Sequence, residues 1–298
     1  MKWLLCLVLA ARCIVASQSC IADIVVTDDR GSVLRLSAPA VRIVALAPSI
    51  TELVFAAGAG AQLAAVPRFS DYPAEAAALP QIGDASSIDA ERVLSLQPDL
   101  VVAWKSGNRA ADIARLERLG LKLVVIEPAL LADVPRVLRM IGALAGTAAA
   151  AETAARAFDH GVQALASQSA GKTKVRVFYE IWHQPLMTIN GHHMINDVIR
   201  LCGGENIFAG LPLLTPVVSL EDVIARKPQV VLGGGSAVSA EELSALWRAQ
   251  SRLEGLRNLP ALHVDPDAIQ RQTPRVLNGA RQVCAHLDAV RKHTAGGE

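Results

Sequence analysis
Three stretches of this sequence carry residue types that catalysis uses, and in each the pattern around them is wrong for it. Ala166-Ser167-Gln168-Ser169-Ala170-Gly171-Lys172-Thr173 is close to a phosphate-binding loop, whose backbone amides and lysine would cradle a nucleotide. Ala166 stands where the first glycine belongs, and the stretch precedes a β-branched run instead of following one. Gly233-Gly234-Gly235-Ser236 offers a serine without the pattern of a nucleophile elbow. His192-His193 has no HExxH context, so a hydrolytic zinc site is not supported. The expectation is a protein that is not an enzyme and that carries no resident cofactor and no metal site. A secreted metal-dependent hydrolase is the reading from another class.

What remains is surface for binding. The chain has four tryptophans, two tyrosines and five phenylalanines, so each aromatic in a loop is informative. Two of them follow β-branched runs: Trp104, before Lys105, and Trp182, within Glu180-Ile181-Trp182-His183. Ala47-Pro48-Ser49, Glu127-Pro128, Gly233-Gly234-Gly235 and Asp265-Pro266-Asp267 also follow such runs. In open α/β sheets ligands bind beyond the carboxyl ends of the strands. These loops therefore predict one cleft of aromatics, a few polar groups and glycine backbone, suited to a sizeable and partly apolar small molecule.

The elements that hold these loops are announced by a repeat. Ile88-Asp89-Ala90-Glu91-Arg92-Val93-Leu94-Ser95-Leu96-Gln97-Pro98-Asp99-Leu100-Val101-Val102 returns as Val218-Ser219-Leu220-Glu221-Asp222-Val223-Ile224-Ala225-Arg226-Lys227-Pro228-Gln229-Val230-Val231-Leu232. Asp89 and Ser219 are N-cap types, apolar residues follow at helical spacing, and a proline ends the helix before a buried strand. Used twice, the unit means two similar α/β lobes, with Glu91 and Glu221 as a matched pair of carboxylates. Ile24–Val26 and Val33–Leu36 flank a hairpin turn, and 41–45 is the first core strand. Ser49 and Glu52 have the spacing of a capping box for a helix stopping at Gly58. Helices follow over 110–119 and up to Gly146, around the strand 123–126. The alanine-rich stretch 148–169 reads as one long helix between the lobes, because a flexible linker would be rich in Gly, Ser or Pro. The second lobe has strands at 175–179, 230–232 and 262–264, and a closing helix after Pro274. The fold class is thus α/β, two similar lobes joined by one long helix with a ligand cleft between them. A signal peptide is expected over 1–22, the N-terminal lobe over 23–146, the connecting helix over 147–171 and the C-terminal lobe over 172–298. A single stiff strut lets the lobes rock only a little.

Composition agrees. A length of 298 residues suits two α/β units, 52% apolar residues fill two cores, and 19% charged residues argue against disorder. The net charge of +1, without a basic run, disfavours nucleic acid as a partner. Lys2, the apolar stretch from Trp3 to Ala16 and the small residues around Cys20-Ile21-Ala22 form a cleavable secretory signal. Cys6, Cys13 and Cys20 lie in that leader. Cys202 and Cys284 remain, which in an oxidising compartment suggests one disulfide; two separately buried thiols are the alternative, and neither has a metal-spaced partner.

Arg42-Ile43-Val44-Ala45-Leu46-Ala47-Pro48-Ser49-Ile50-Thr51-Glu52-Leu53, Phe69-Ser70-Asp71-Tyr72-Pro73, Gln97-Pro98-Asp99-Leu100-Val101-Val102-Ala103-Trp104 and Cys202-Gly203-Gly204-Glu205-Asn206-Ile207-Phe208 resemble the helical-backbone class of periplasmic binding proteins. The resemblance spans about Val41 to Leu287, and within the class it is nearest to the cobalamin (vitamin B12) binders of ABC importers. It implies a periplasmic, monomeric transport protein whose partners are a corrinoid, carried as cargo, and a dimeric ABC permease. Phe69 stands where that family has a tyrosine, Trp104 matches a tryptophan, and Asp267 and Arg271 match a pair that meets the ligand's polar rim. Two family tryptophans are replaced, by Ala85 and Thr215; Trp182 offers aromatic surface in their place. The family's disulfide matches Cys202 and Cys284, and its permease-docking carboxylates match Glu91 and Glu221. His183 suits either a metal-ligating imidazole or a hydrogen-bonded loop histidine. A haem or siderophore receptor of the same fold is the alternative, since much of the matching sequence is shared with those receptors.

Overall fold
Both copies of the repeated phrase fold alike in the computed structural model, which describes residues 23–235 and 239–295; the expected leader and Ser236 lie outside the described residues. The chain opens with β1 (Ile24–Thr27) and β2 (Val33–Leu36), an antiparallel hairpin. The first lobe continues with β3 (Ile43–Ala45), α1 (Pro48–Ala56), β4 (Leu63–Ala65), the short pair β5 (Gly83–Asp84) and β6 (Ser87–Ile88), and α2 (Ala90–Ser95). It ends with β7 (Leu100–Trp104), α3 (Ala110–Arg118), β8 (Leu123–Ile126) and α4 (Asp133–Ala145), and α5 (Ala148–Ser169) leads out of it. The second lobe begins with β9 (Val175–Glu180), α6 (Met194–Leu201), β10 (Gly204–Asn206), α7 (Leu220–Ala225) and β11 (Val230–Gly233). It closes with α8 (Ala240–Ala249), β12 (Ala261–His263), α9 (Pro266–Ile269) and α10 (Val276–Ala295).

The sheets are β4-β3-β7-β8 and β10-β9-β11-β12, with every neighbouring pair parallel. Each lobe therefore has the same order: its second strand at one edge, then the first, third and fourth. The likeness extends to single bonds. Asp89 and Ser219 cap α2 and α7 by accepting from the backbone N–H three residues on. Gln97 and Lys227, each before a proline, both take the left-handed conformation at φ 46° and 47°. Asp99 accepts from the amide of Arg42, and its counterpart Gln229 from the amide of Arg176. The guanidinium groups of Arg42 and Arg176 donate to the carbonyls of Leu96 and Arg226, which also occupy equivalent places.

Burial explains why the strands read as unbroken apolar runs. Leu100 and Val102 of β7 face one buried cluster, while Val101 and Ala103 face another on the opposite side, against Val93, Ile113 and Leu116 of α2 and α3. In the second lobe Val230 and Leu232 face inward, and Val231 faces Val223, Leu243 and Trp247. The inner clusters of the two lobes are one. It runs from Ile50 and Val102 through Ala151, Ala155, Phe158 and Leu165 of α5 to Val177, Ile195 and Leu287. The connecting helix is thus a shared part of both cores, which stiffens the lobes against each other more than a strut alone would. Cys202, at the end of α6, is bonded to Cys284 on α10.

One local expectation fails. Ser49 and Glu52 do not form a capping box: α1 starts two residues earlier, with Ala47 at the N-cap, Pro48 in the first turn and no side-chain cap. Proline needs no partner for an amide it lacks, and its fixed φ starts the helix. Glu52 is committed elsewhere.

Candidate functional site
At the carboxyl ends of the strands a recess of about 440 Å³ lies between the lobes. Trp104, Ser106, Glu127, Pro128 and Ala129 line it from the first lobe; Ile181, His192, His193, Met194, Leu214, Thr215, Gln270 and Gln272 line it from the second. Trp104 ends β7 and is held from several sides. Its amide donates to Asn108 Oδ1 at 2.7 Å, and Asn108 Nδ2 donates in turn to the carbonyls of Leu46 at 2.8 Å and Ala85 at 3.0 Å. Its indole Nε1 donates to Glu127 Oε1 at 3.4 Å, and Glu127 also accepts from the amide and hydroxyl of Ser106. The ring lies so close over Gly107 that a Cβ there would overlap it. Glu127 is placed from outside the four-stranded sheet: its amide donates to Asp29 Oδ2 at 2.5 Å, in the turn of the β1–β2 hairpin, and Arg136 holds the same carboxylate. The hairpin that the sequence shows as a local turn is therefore a bracket for the site.

On the facing wall His193 caps α6, its Nδ1 accepting from the Ile195 amide at 3.1 Å. That bond leaves the ring proton on Nε2, and burial pushes the pKa down to about 4, so the imidazole is neutral.

Of the six residues expected to meet ligand, Trp104 lines this recess and the other five lie outside it. Phe69 is 69% exposed, at φ 66°, with the Arg68 guanidinium 5.5 Å from its ring centre. Trp182 is 48% exposed and donates from Nε1 to the Gln184 carbonyl. His183 is a hydrogen-bonded loop histidine, Nδ1 to Glu180 Oε1 at 3.1 Å; the buried Glu180 also accepts from Trp247 Nε1 at 2.5 Å. Among the described residues no group of three or more His, Cys, Asp or Glu is placed to hold a metal ion.

Asp267 and Arg271 are paired at 2.9 Å, and the pair belongs to a larger network. Arg271 Nη1 also meets Glu52 Oε1 and Asp71 Oδ1 of the other lobe, both at 2.9 Å. Glu52, 3% exposed, accepts further from Arg275 at 3.0 Å and from Thr273 Oγ1 at 2.8 Å. One buried carboxylate in α1 thus receives three donors from the segment between α9 and α10, and ties lobe to lobe.

Residues 43–265 match the Periplasmic binding protein family. The chain belongs to that family. It is 35% identical over 254 residues to the vitamin B12-binding protein of Vibrio parahaemolyticus, covering 85% of this chain and 92% of that one. It is also 35% identical over 251 residues to the vitamin B12-binding protein of Pectobacterium carotovorum, covering 84% and 89%. The crystal structure of the periplasmic vitamin B12 binding protein of Vibrio cholerae matches with a TM-score of 0.76 at 33% identity, over 85% of this chain and 99% of that one. A periplasmic haem binding protein of Vibrio cholerae matches with a TM-score of 0.71 at 21% identity, over 83% and 98%, a likeness of fold alone.

In this periplasmic binding protein Glu91 and Glu221 sit in the first turns of α2 and α7. Both are exposed; Arg115 Nη2 approaches Glu91 to 3.7 Å. No helix among the described residues is long and apolar enough to cross a membrane.

Reasoning from sequence gave no positioning role to the residues that hold others in place: Asn108, Gly107, Asp29, Glu180 and His193. An asparagine four residues after a strand-end tryptophan is the one signal the sequence offers for them. The rest depend on contacts made across the fold.

Proposed function
We propose that this chain is the exported binding component of an ABC importer, which captures cobalamin or a related corrinoid in the periplasm and hands it to a dimeric membrane permease. The observation that carries the reading is the identity of about one third, over most of the chain, to relatives named as vitamin B12-binding proteins. The site's chemistry is in keeping with it. A half-buried indole at a strand end offers a flat face to a macrocycle, and glutamine, threonine and imidazole groups around it suit amide side chains. Trp104 is the residue we place against the ring; Phe69, Trp182, His183, Asp267 and Arg271 form the outer rim that a large ligand reaches. Glu91 and Glu221 are the docking carboxylates. The protein binds and releases its cargo unchanged.

Isothermal titration of mature protein with cyanocobalamin, cobinamide and haemin tests this. Tight binding of the two corrinoids and weak binding of haemin is expected. Haemin bound more tightly than either corrinoid would move the protein to the haem receptors of the same fold.

A further inference from the structure
Resting on the corrinoid reading, the inner recess carries a second piece of information, its charge. Glu127 contributes a carboxylate, and no lysine or arginine is among the lining residues described. The two arginines on the segment that carries Gln270 and Gln272 are already taken. Arg271 meets Glu52, Asp71 and Asp267, and Arg275 meets Glu52 while its guanidinium lies 4.1 Å from the Tyr72 ring centre. Three carboxylates thus face two guanidinium groups in that network. Gln270, Gln272 and Thr215 carry no charge, and His193 presents an N–H at Nε2 because Nδ1 is occupied by the Ile195 amide.

We propose that this cleft selects by charge, accepting a macrocycle rimmed by neutral amides and rejecting the same macrocycle rimmed by carboxylates. An amide carbonyl accepts from His193, Gln270 or Gln272, and an amide N–H₂ donates to Glu127; every group is satisfied without a counter-ion. A carboxylate at the same place finds no lysine or arginine among the described lining residues, and it meets Glu127 inside a partly dry recess where like charges repel more strongly than in water. It would also have to draw Arg271 away from three existing partners. Haem, with its propionates, falls on the rejected side, as do carboxylate-rich iron chelates.

The test compares two ligands that share a corrin ring and both lack the nucleotide loop: cobinamide, rimmed by amides, and cobyrinic acid, rimmed by carboxylates. Titration of the wild-type protein at pH 7.5 and low salt should show the acid bound at least ten-fold more weakly. In Glu127→Gln the ratio of the two affinities should narrow by several-fold, whatever the change in either affinity alone. Binding of the two ligands within two-fold of each other by the wild-type protein would overturn selection by charge and leave the corrinoid reading standing. Failure of the wild-type protein to bind cyanocobalamin at all would overturn both. A Glu127→Gln protein with an undiminished gap would show that the discrimination has another source, and would overturn the role given to Glu127.

Discussion

At the scale of single residues, the site depends on groups that fix other groups. Trp104 is positioned by Asn108, Glu127 and the bare Cα of Gly107. Trp104→Ala should cost about 1–3 kcal/mol of corrinoid affinity, in the range of a lost aromatic anchor, with a smaller change in folding stability. Gly107→Ala should lose a comparable amount by displacing the indole, and the double variant should be no worse than Trp104→Ala alone, because both changes remove one contact. A full set of titrations and melting curves checks this; unchanged affinity with a large fall in Tm would make Trp104 a core residue. His193 gives a prediction in pH. Its folded pKa of about 4 lies below the ordinary 6.5, so the unfolded chain binds the proton more readily. Stability from this group is complete above about pH 6.5 and is lost as pH falls towards 4, by an amount of the order of 2–3 kcal/mol. His193→Asn keeps an acceptor for the Ile195 amide and has nothing to titrate. Denaturant midpoints measured between pH 7.5 and 4 should therefore fall less steeply in the variant; equal slopes would show that His193 is accessible to protons.

At the scale of elements, the second lobe is pinned by its disulfide, which joins the end of α6 to α10. Cys202 and His193 lie at opposite ends of α6, so the bond sits at the far end of that helix from the recess. Across a separation of 82 residues, reduction should cost roughly 2–5 kcal/mol in the chain-entropy picture while leaving affinity nearly intact. Mass mapping without reductant should find the linked peptides, and unfolding with and without reductant should show the shift. Two free thiols in the denatured, unreduced protein would refute the bond.

At the scale of the whole molecule, two features decide how the lobes move and what they meet. The shared core through α5 and the Glu52 network both resist separation of the lobes. Glu52→Ala leaves Arg271 and Arg275 close together without their common acceptor. The cost should be about 2–4 kcal/mol by denaturant unfolding, near the range for breaking a buried pair and moderated because both arginines are partly wet. A change below about 0.5 kcal/mol would mean that water replaces the carboxylate freely. On the outside, the proposed docking role has its own consequence: a dimeric permease would present the same pocket twice, and a protein with two like lobes could fill both. Changing Glu91 and Glu221 together to alanine should leave corrinoid affinity near wild type, weaken docking to the reconstituted permease and flatten its salt dependence. Each single change should give a partial defect. A double variant that docks and transports like wild type would return both residues to the role of solvated helix positions.

The sequence by itself determined whatever is written in short range. The caps Asp89 and Ser219, the prolines after Gln97 and Lys227 and the doubly buried strands are local signals, so the repeat disclosed both lobes and their likeness before any contact was known. The long α5 was legible for the same reason, since alanine needs no partner to favour a helix. Trp104 was legible because a strand end is a place in a fold as well as in a sequence. Tertiary structure alone decided where the charges went. Ser49 and Glu52 satisfy the capping pattern, yet Glu52 finds two guanidinium groups and a hydroxyl more than 200 residues away. A buried carboxylate gains more from three such donors than from one backbone amide in the first turn. Nor does any local pattern show that Arg271 is held by carboxylates from both lobes, or that the turn of Asp29 braces Glu127. Those pairings exist only once the lobes are packed, because the burial that strengthens each interaction is itself a product of the fold.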